Sequence, residues 1–110
     1  MFEKADQALK DCQFDQAMNL YQHICLDFPD EAEGYWGQLL CKYGIEYIKD
    51  PYTGRYKPTC HRLSFESILD DSLFNQAIER ASSEASENYR KKAQEISDVM
   101  KTILEISNRE

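Results

Sequence analysis

Cys60 and His61 stand side by side. A thiol next to an imidazole is the pairing that cysteine nucleophiles use, in which the ring takes the thiol proton. Direct adjacency works against that chemistry here. Residues 56–61 read as an extended segment, and neighbouring side chains of a strand point to opposite faces. No third group stands nearby in sequence to orient the imidazole. The expected arrangement is structural, with Cys60 packed inward and His61 near a basic surface. Metal ligation could draw on His23, Cys25, Cys41, Cys60 and His61. His23 and Cys25 are two apart on a helical stretch and do not share a face. The compact ligand spacing of structural zinc sites is missing. The sequence therefore assigns no catalytic residue, no cofactor ligand and no metal ligand.

Surface chemistry is the alternative. The net charge is −7, and residues 1–50 hold ten acids against four bases. Residues 51–63 reverse the balance, with Arg55, Lys57 and Arg62 and no acid. An acidic chain is a poor general binder of nucleic acid or anionic membrane. Three cations are too few for strong phosphate affinity, and pairing with the acidic N-terminal half is the simpler use for them. Together with Tyr52, Tyr56 and His61 they form a candidate interaction surface. The aromatics Tyr35, Trp36, Tyr43, Tyr47, Tyr52 and Tyr56 could line a peptide groove. Trp36 and Tyr43 are expected in the core, and Tyr52 and Tyr56 are expected exposed beside a turn.

The elements that must position these groups are mostly helical. Phe2, Ala5, Ala8 and Leu9 recur at helical spacing, as do Phe14, Ala17, Tyr21, Ile24 and Phe28. Pro29 ends the second stretch. Asp30, with Glu33 three residues on, is expected to cap a third helix carrying Tyr35, Trp36, Leu39, Leu40 and Tyr43. Gly44 fits the residue just past its end. Residues 45–62 predict a β-hairpin or long ordered loop around Asp50-Pro51-Tyr52-Thr53-Gly54. Helices return over 64–107, with Ser64 or Asp71 as caps and a break near Ala81-Ser82-Ser83. Tyr89, Ala93, Ile96, Met100 and Ile103 draw a seam close to coiled-coil spacing. The seam could join two copies of the chain, or it could close over the preceding helices.

Residues 12–31, CQFDQAMNLYQHICLDFPDE, resemble the second half of a tetratricopeptide repeat. Phe14, Ala17, Tyr21 and Pro29 match its aromatic, small, aromatic and proline positions. Residues 32–43 resemble the first helix of a second repeat. Cys12 stands where the repeat usually has glycine, Ile24 where it has alanine, and Gln38-Leu39 replaces its Leu-Gly. Only about one and a half repeats fit, whereas stable arrays need about three, so the C-terminal helices must cover the exposed faces. A longer resemblance is carried by GIEYIKDPYTGR and PTCHR. These look like the middle region of bacterial proteins that end in a TIR (Toll/interleukin-receptor) domain. The resemblance implies a segment preceding the TIR fold, without that fold's catalytic residues.

The expected fold is mostly all-α: a single tetratricopeptide-like domain over 1–110, with repeat-like helices at 2–44, a hairpin or loop at 45–62 and helices at 64–107. The expected function is a non-catalytic scaffold for protein–protein contacts, positioning or oligomerising an adjacent TIR domain. A peptide-binding module that recruits a separate partner is the second reading. A metal or thiol site around Cys60-His61 is the third. No signal peptide or apolar run of membrane-spanning length is recognisable, and the four cysteines lack close pairing. A cytoplasmic protein with reduced thiols is expected.

Overall fold

Why five amphipathic stretches should assemble around one of their number is clear from where glycine and alanine fall. The computed structural model describes residues 2–64 and 66–109, with side chains through Ile106. Met1, Phe65 and Glu110, which belong to stretches quoted above, lie outside the described residues. In chain order the described residues form α1 (Phe2–Lys10), α2 (Phe14–Asp27), α3 (Ala32–Lys42), β1 (Ile45–Lys49), β2 (Tyr56–Cys60), α4 (Ser72–Arg80) and α5 (Ser83–Arg109), with a 3-10 turn at Ile68–Asp70. The chain is thus mostly helical, and 45–62 is a hairpin rather than a loop.

Helix α3 is the axis. It is buried without interruption from Gly34 to Cys41, the pattern of a helix packed on all sides. It meets α2 closely because its facing residues are small. A Cβ on Gly37 would lie 2.5 Å from the Tyr21 ring, and one on Gly34 would lie 2.6 Å from the Cys25 sulfur. Ala5, Ala8 and Ala17 do the same between α1 and α2, forming with Tyr21, Ile24 and Cys41 a small apolar cluster. The larger cluster lies across α3, where Trp36, Leu39, Leu40 and Tyr43 meet Ile45, Ile68, Phe74, Ala77 and one face of α5.

That face of α5 is the predicted seam, and the structure uses it within the chain. Tyr89, Ala93, Ile96 and Met100 are buried, and Tyr89 stacks on Trp36 with ring centroids 4.7 Å apart. Ile103 is half-buried, and exposure returns only at Ile106. A second copy cannot reach the first four seam residues, because Trp36 and its neighbours already occupy them. The same packing buries the aromatics of α3 that could have lined a groove. Tyr35 and Trp36 are core residues, as is Tyr43.

Two expected caps are corrected. Asp30 does not cap α3: the chain turns with the Glu31 amide donating to the Phe28 carbonyl (3.1 Å), which makes Glu31 the boundary residue, and its side chain makes no capping bond. Ser64 accepts from the Glu66 amide in a local turn, so of the two candidates it is Asp71 that caps a helix. Its carboxylate accepts from the Leu73 amide at 2.9 Å, at the start of α4. The break after Arg80 falls where Ala81 and Ser82 stand.

Gly37→Ala should destabilise the fold by about 1–3 kcal/mol, because overpacking against Tyr21 outweighs the roughly 1 kcal/mol that alanine ordinarily gains over glycine in a helix. Urea unfolding measures it, and a rise in midpoint would contradict the close α2–α3 contact.

Candidate functional site

The hairpin is built from its base upward. Gly44 takes φ +60, the left-handed conformation that glycine adopts without a Cβ clash, and ends α3. Its carbonyl accepts from the His61 amide (2.8 Å), and the Tyr43 carbonyl accepts from the Arg62 amide (3.1 Å). The Cys60 thiol also donates to the Tyr43 carbonyl, at 3.0 Å. The strands pair antiparallel, with Ile45 opposite Cys60, Glu46 opposite Thr59 and Lys49 opposite Tyr56. Pro58 sits in this two-stranded sheet, where each strand has a free edge that tolerates proline.

Tyr43 is itself fixed from below. Its hydroxyl donates to the Asp71 carboxylate at 2.9 Å, and Lys42 donates to the same oxygen at 2.7 Å. Burial alone would raise the Asp71 carboxyl, but hydrogen bonds from Lys42, the Leu73 amide and Tyr43 outweigh it and hold the carboxyl below its ordinary value. The contribution of this group to stability is therefore present above the ordinary carboxylate range and is lost as pH falls through it.

At the far end, Asp50 accepts from the Tyr52 amide at 2.8 Å, and Gly54 adopts φ +71. This turn leaves Tyr52 96% exposed and Tyr56 63% exposed, with Ile48 also half in solvent. Arg55 and Lys57 are exposed beside them. The six residues of the predicted interaction surface therefore divide. Tyr52, Arg55, Tyr56 and Lys57 share the tip, whereas His61 and Arg62 belong to the base. Two of the three cations, Lys57 and Arg62, pair with acids of the N-terminal half, as their composition suggested, and His61 meets a third acid. Lys57 lies 3.8 Å from Asp50, His61 2.9 Å from Glu46, and Arg62 2.8 Å from Asp15. Arg55 has no such partner among the described residues. Beneath the hairpin runs a cleft of about 650 Å³, lined by Asp6, Leu9, Lys10, Ile45, Glu46, Tyr47 and Tyr56. The Tyr47 hydroxyl is buried without a hydrogen-bond partner among the described residues.

Cys60 and His61 do not form a dyad. Cys60 turns toward Tyr43, and His61 turns to the other face to meet Glu46 and the Phe14 ring, 5.7 Å between centroids. The thiols of Cys12, Cys25, Cys41 and Cys60 are all raised above their ordinary value, chiefly by burial, Cys41 to about 12. Reactive cysteines need the opposite shift.

Sequence reasoning missed one constellation. The ligand atoms of Cys12, Glu46 and His61 all lie within 4.8 Å of one another. Glu46 and His61 are diagonal neighbours on one face of the hairpin, a relation fixed by the register. Cys12 arrives from the α1–α2 turn. There its amide donates to the Leu9 carbonyl and the Gln13 amide donates to the Ala8 carbonyl, a Schellman ending whose left-handed position usually holds glycine. Cys12 occupies it at φ +59. The one legible signal was a cysteine standing where the tetratricopeptide pattern has glycine.

No helix among the described residues is long and apolar enough to cross a membrane. The chain matches no protein-family model, no curated protein and no solved structure.

Cys12→Gly should raise stability in chelator-containing buffer by about 0.5–1 kcal/mol. It removes a left-handed cost of roughly 1–2 kcal/mol and adds roughly 0.5–1 kcal/mol of backbone entropy. Cys12→Ala keeps the Cβ and should bring no gain. Equal urea midpoints for the two variants would contradict the strain.

Proposed function

We propose that the chain is a non-catalytic protein–protein interaction domain, tetratricopeptide-like in its α1–α3 helices, that presents the hairpin tip as its recognition face. One observation carries this reading: Tyr52 and Tyr56 stand in solvent beside Arg55 and Lys57, on a chain whose net charge is −7. Tyrosine and arginine are the residue types that protein interfaces concentrate, and an isolated domain gains nothing by exposing them. A cationic tip on an acidic body favours an acidic partner surface and keeps the body itself away from it.

The raised thiols support a role without nucleophilic catalysis. The resemblance to the middle region of TIR proteins supports an adjacent TIR domain as the partner that the hairpin positions. Oligomerisation through the α5 seam loses its support, since Tyr89, Ala93, Ile96 and Met100 are already packed. A peptide-recruiting role survives in altered form: the cleft under the hairpin, with Tyr47 and Tyr56 on its wall, replaces the covered helical face as the place for a ligand segment.

A photo-crosslinking residue at position 52, in the protein expressed from its own full gene, should attach to one protein surface, and Arg55→Glu with Lys57→Glu should abolish the product. The same probe at Gln94, on the exposed face of α5, should attach to nothing in particular. Equal labelling from the two positions would remove the hairpin tip as the recognition face.

A further inference from the structure

The α1–α2 turn and the hairpin base touch at one cluster that the interaction reading does not use. We propose that Cys12, Glu46 and His61 form a three-ligand site for a divalent cation of the zinc class, which clamps the hairpin base to the helical body.

The donor set is one thiol, one carboxylate and one imidazole. Zinc, a borderline cation, takes all three, usually in tetrahedral arrangement with bonds of about 2.0–2.3 Å. Those bonds place neighbouring donors about 3.4 Å apart. The three donor atoms already lie within 4.8 Å of one another, and Glu46 and His61 stand at 2.9 Å. Small side-chain rotations bring all three onto one ion. Hard cations such as magnesium are disfavoured by the thiol.

The ligands come from three separate segments, none of them free to drift. Glu46 and His61 are set by the strand register, and the Phe14 ring lies against the imidazole. Cys12 is set by a backbone conformation that costs energy for any residue but glycine. Strain of that kind, held at a point where a thiol meets a carboxylate and an imidazole, is a reason to look for function. The charges around the cluster also suit a dication. Asp11 adjoins Cys12, and the guanidinium of Arg62, next to His61, is paired with Asp15 at 2.8 Å. The side chains of His61 and Glu46 are partly exposed, 48% and 30%, so solvent or a partner's donor can supply the fourth ligand.

Binding would displace the Cys12 thiol proton into solvent and replace the hydrogen bond between His61 and Glu46 with two bonds to the ion. The competing explanation is an ordinary network in which Glu46 accepts from its two neighbours and no ion enters. Cobalt(II) separates the two, because a thiolate bound to it gives a near-ultraviolet charge-transfer band. The full chain, stripped with chelator, should bind one cobalt ion and show that band, and excess zinc should bleach it. Cys12→Gly, which relaxes the backbone and so should fold, should lose the band. His61→Gln should weaken binding more than about tenfold, whereas Cys60→Ser and Cys25→Ser should leave it unchanged. Zinc should raise the melting temperature of the parent chain and not that of Cys12→Gly. Absence of the band at saturating cobalt, or its persistence in Cys12→Gly, overturns the site. Neither result would bear on the crosslinking test of the hairpin tip.

Discussion

A single buried carboxylate holds the two halves of this molecule in register. Asp71 has 3% of its side chain exposed and takes three donors: Lys42, the Tyr43 hydroxyl and the Leu73 amide. A buried charge seldom adds net stability over a well-packed apolar substitute, but losing one of its partners is costly. Its worth here is geometric. It starts α4 against the end of α3, and it fixes the ring of Tyr43, whose carbonyl and whose neighbour Gly44 receive the closing bonds of the hairpin. From Asp71 to the exposed tip, each step is a short bond to a residue that the previous step has already placed.

This construction explains how a small helical body can carry a projecting hairpin. The helices spend their apolar faces on one another: α3 is enclosed, and α5 closes over Trp36 and its neighbours. That leaves the hairpin as the one described element whose large side chains stand in solvent as a group with cations among them. Two further ties steady the body beside it. Arg80 donates to the Pro29 carbonyl at 2.7 Å while its guanidinium lies over the Tyr35 ring, and Arg62 reaches Asp15 across the base. Exposed contacts of this sort contribute little energy, and of the two only the Arg62–Asp15 pair joins the hairpin base to α2.

Much of the secondary structure was legible because its causes are local. Helical spacing marked α1, α2, α3 and α5, proline marked the end of α2, and Gly44 marked the end of α3. The turn residues around Asp50 and Gly54 announced the hairpin. Asp30 misled because capping depends on where a turn sets the first helical residue, and the turn at Phe28–Glu31 moved that boundary by one. The α5 seam was visible as apolar spacing, but spacing alone does not say whether the surface it meets belongs to the same chain. Asp71 was legible as a cap and illegible as an anchor, since Lys42 and Tyr43 lie nearly thirty residues away. Cys12, Glu46 and His61 were hidden for the same reason. Only folding closes those distances, and the pairing of Cys60 with His61 that sequence offered was divided by the alternation of the strand.

Hydrogen exchange at the amides of His61 and Arg62 in an Asp71→Ala variant measures the dependence of the hairpin on its anchor directly. These amides close the base onto Gly44 and Tyr43. The account predicts that they lose protection well beyond the loss seen at Tyr21 and Ile24 in α2, whose packing does not pass through Asp71. Protection that is unchanged at His61 and Arg62, or that falls equally across α2 and the hairpin, would contradict it.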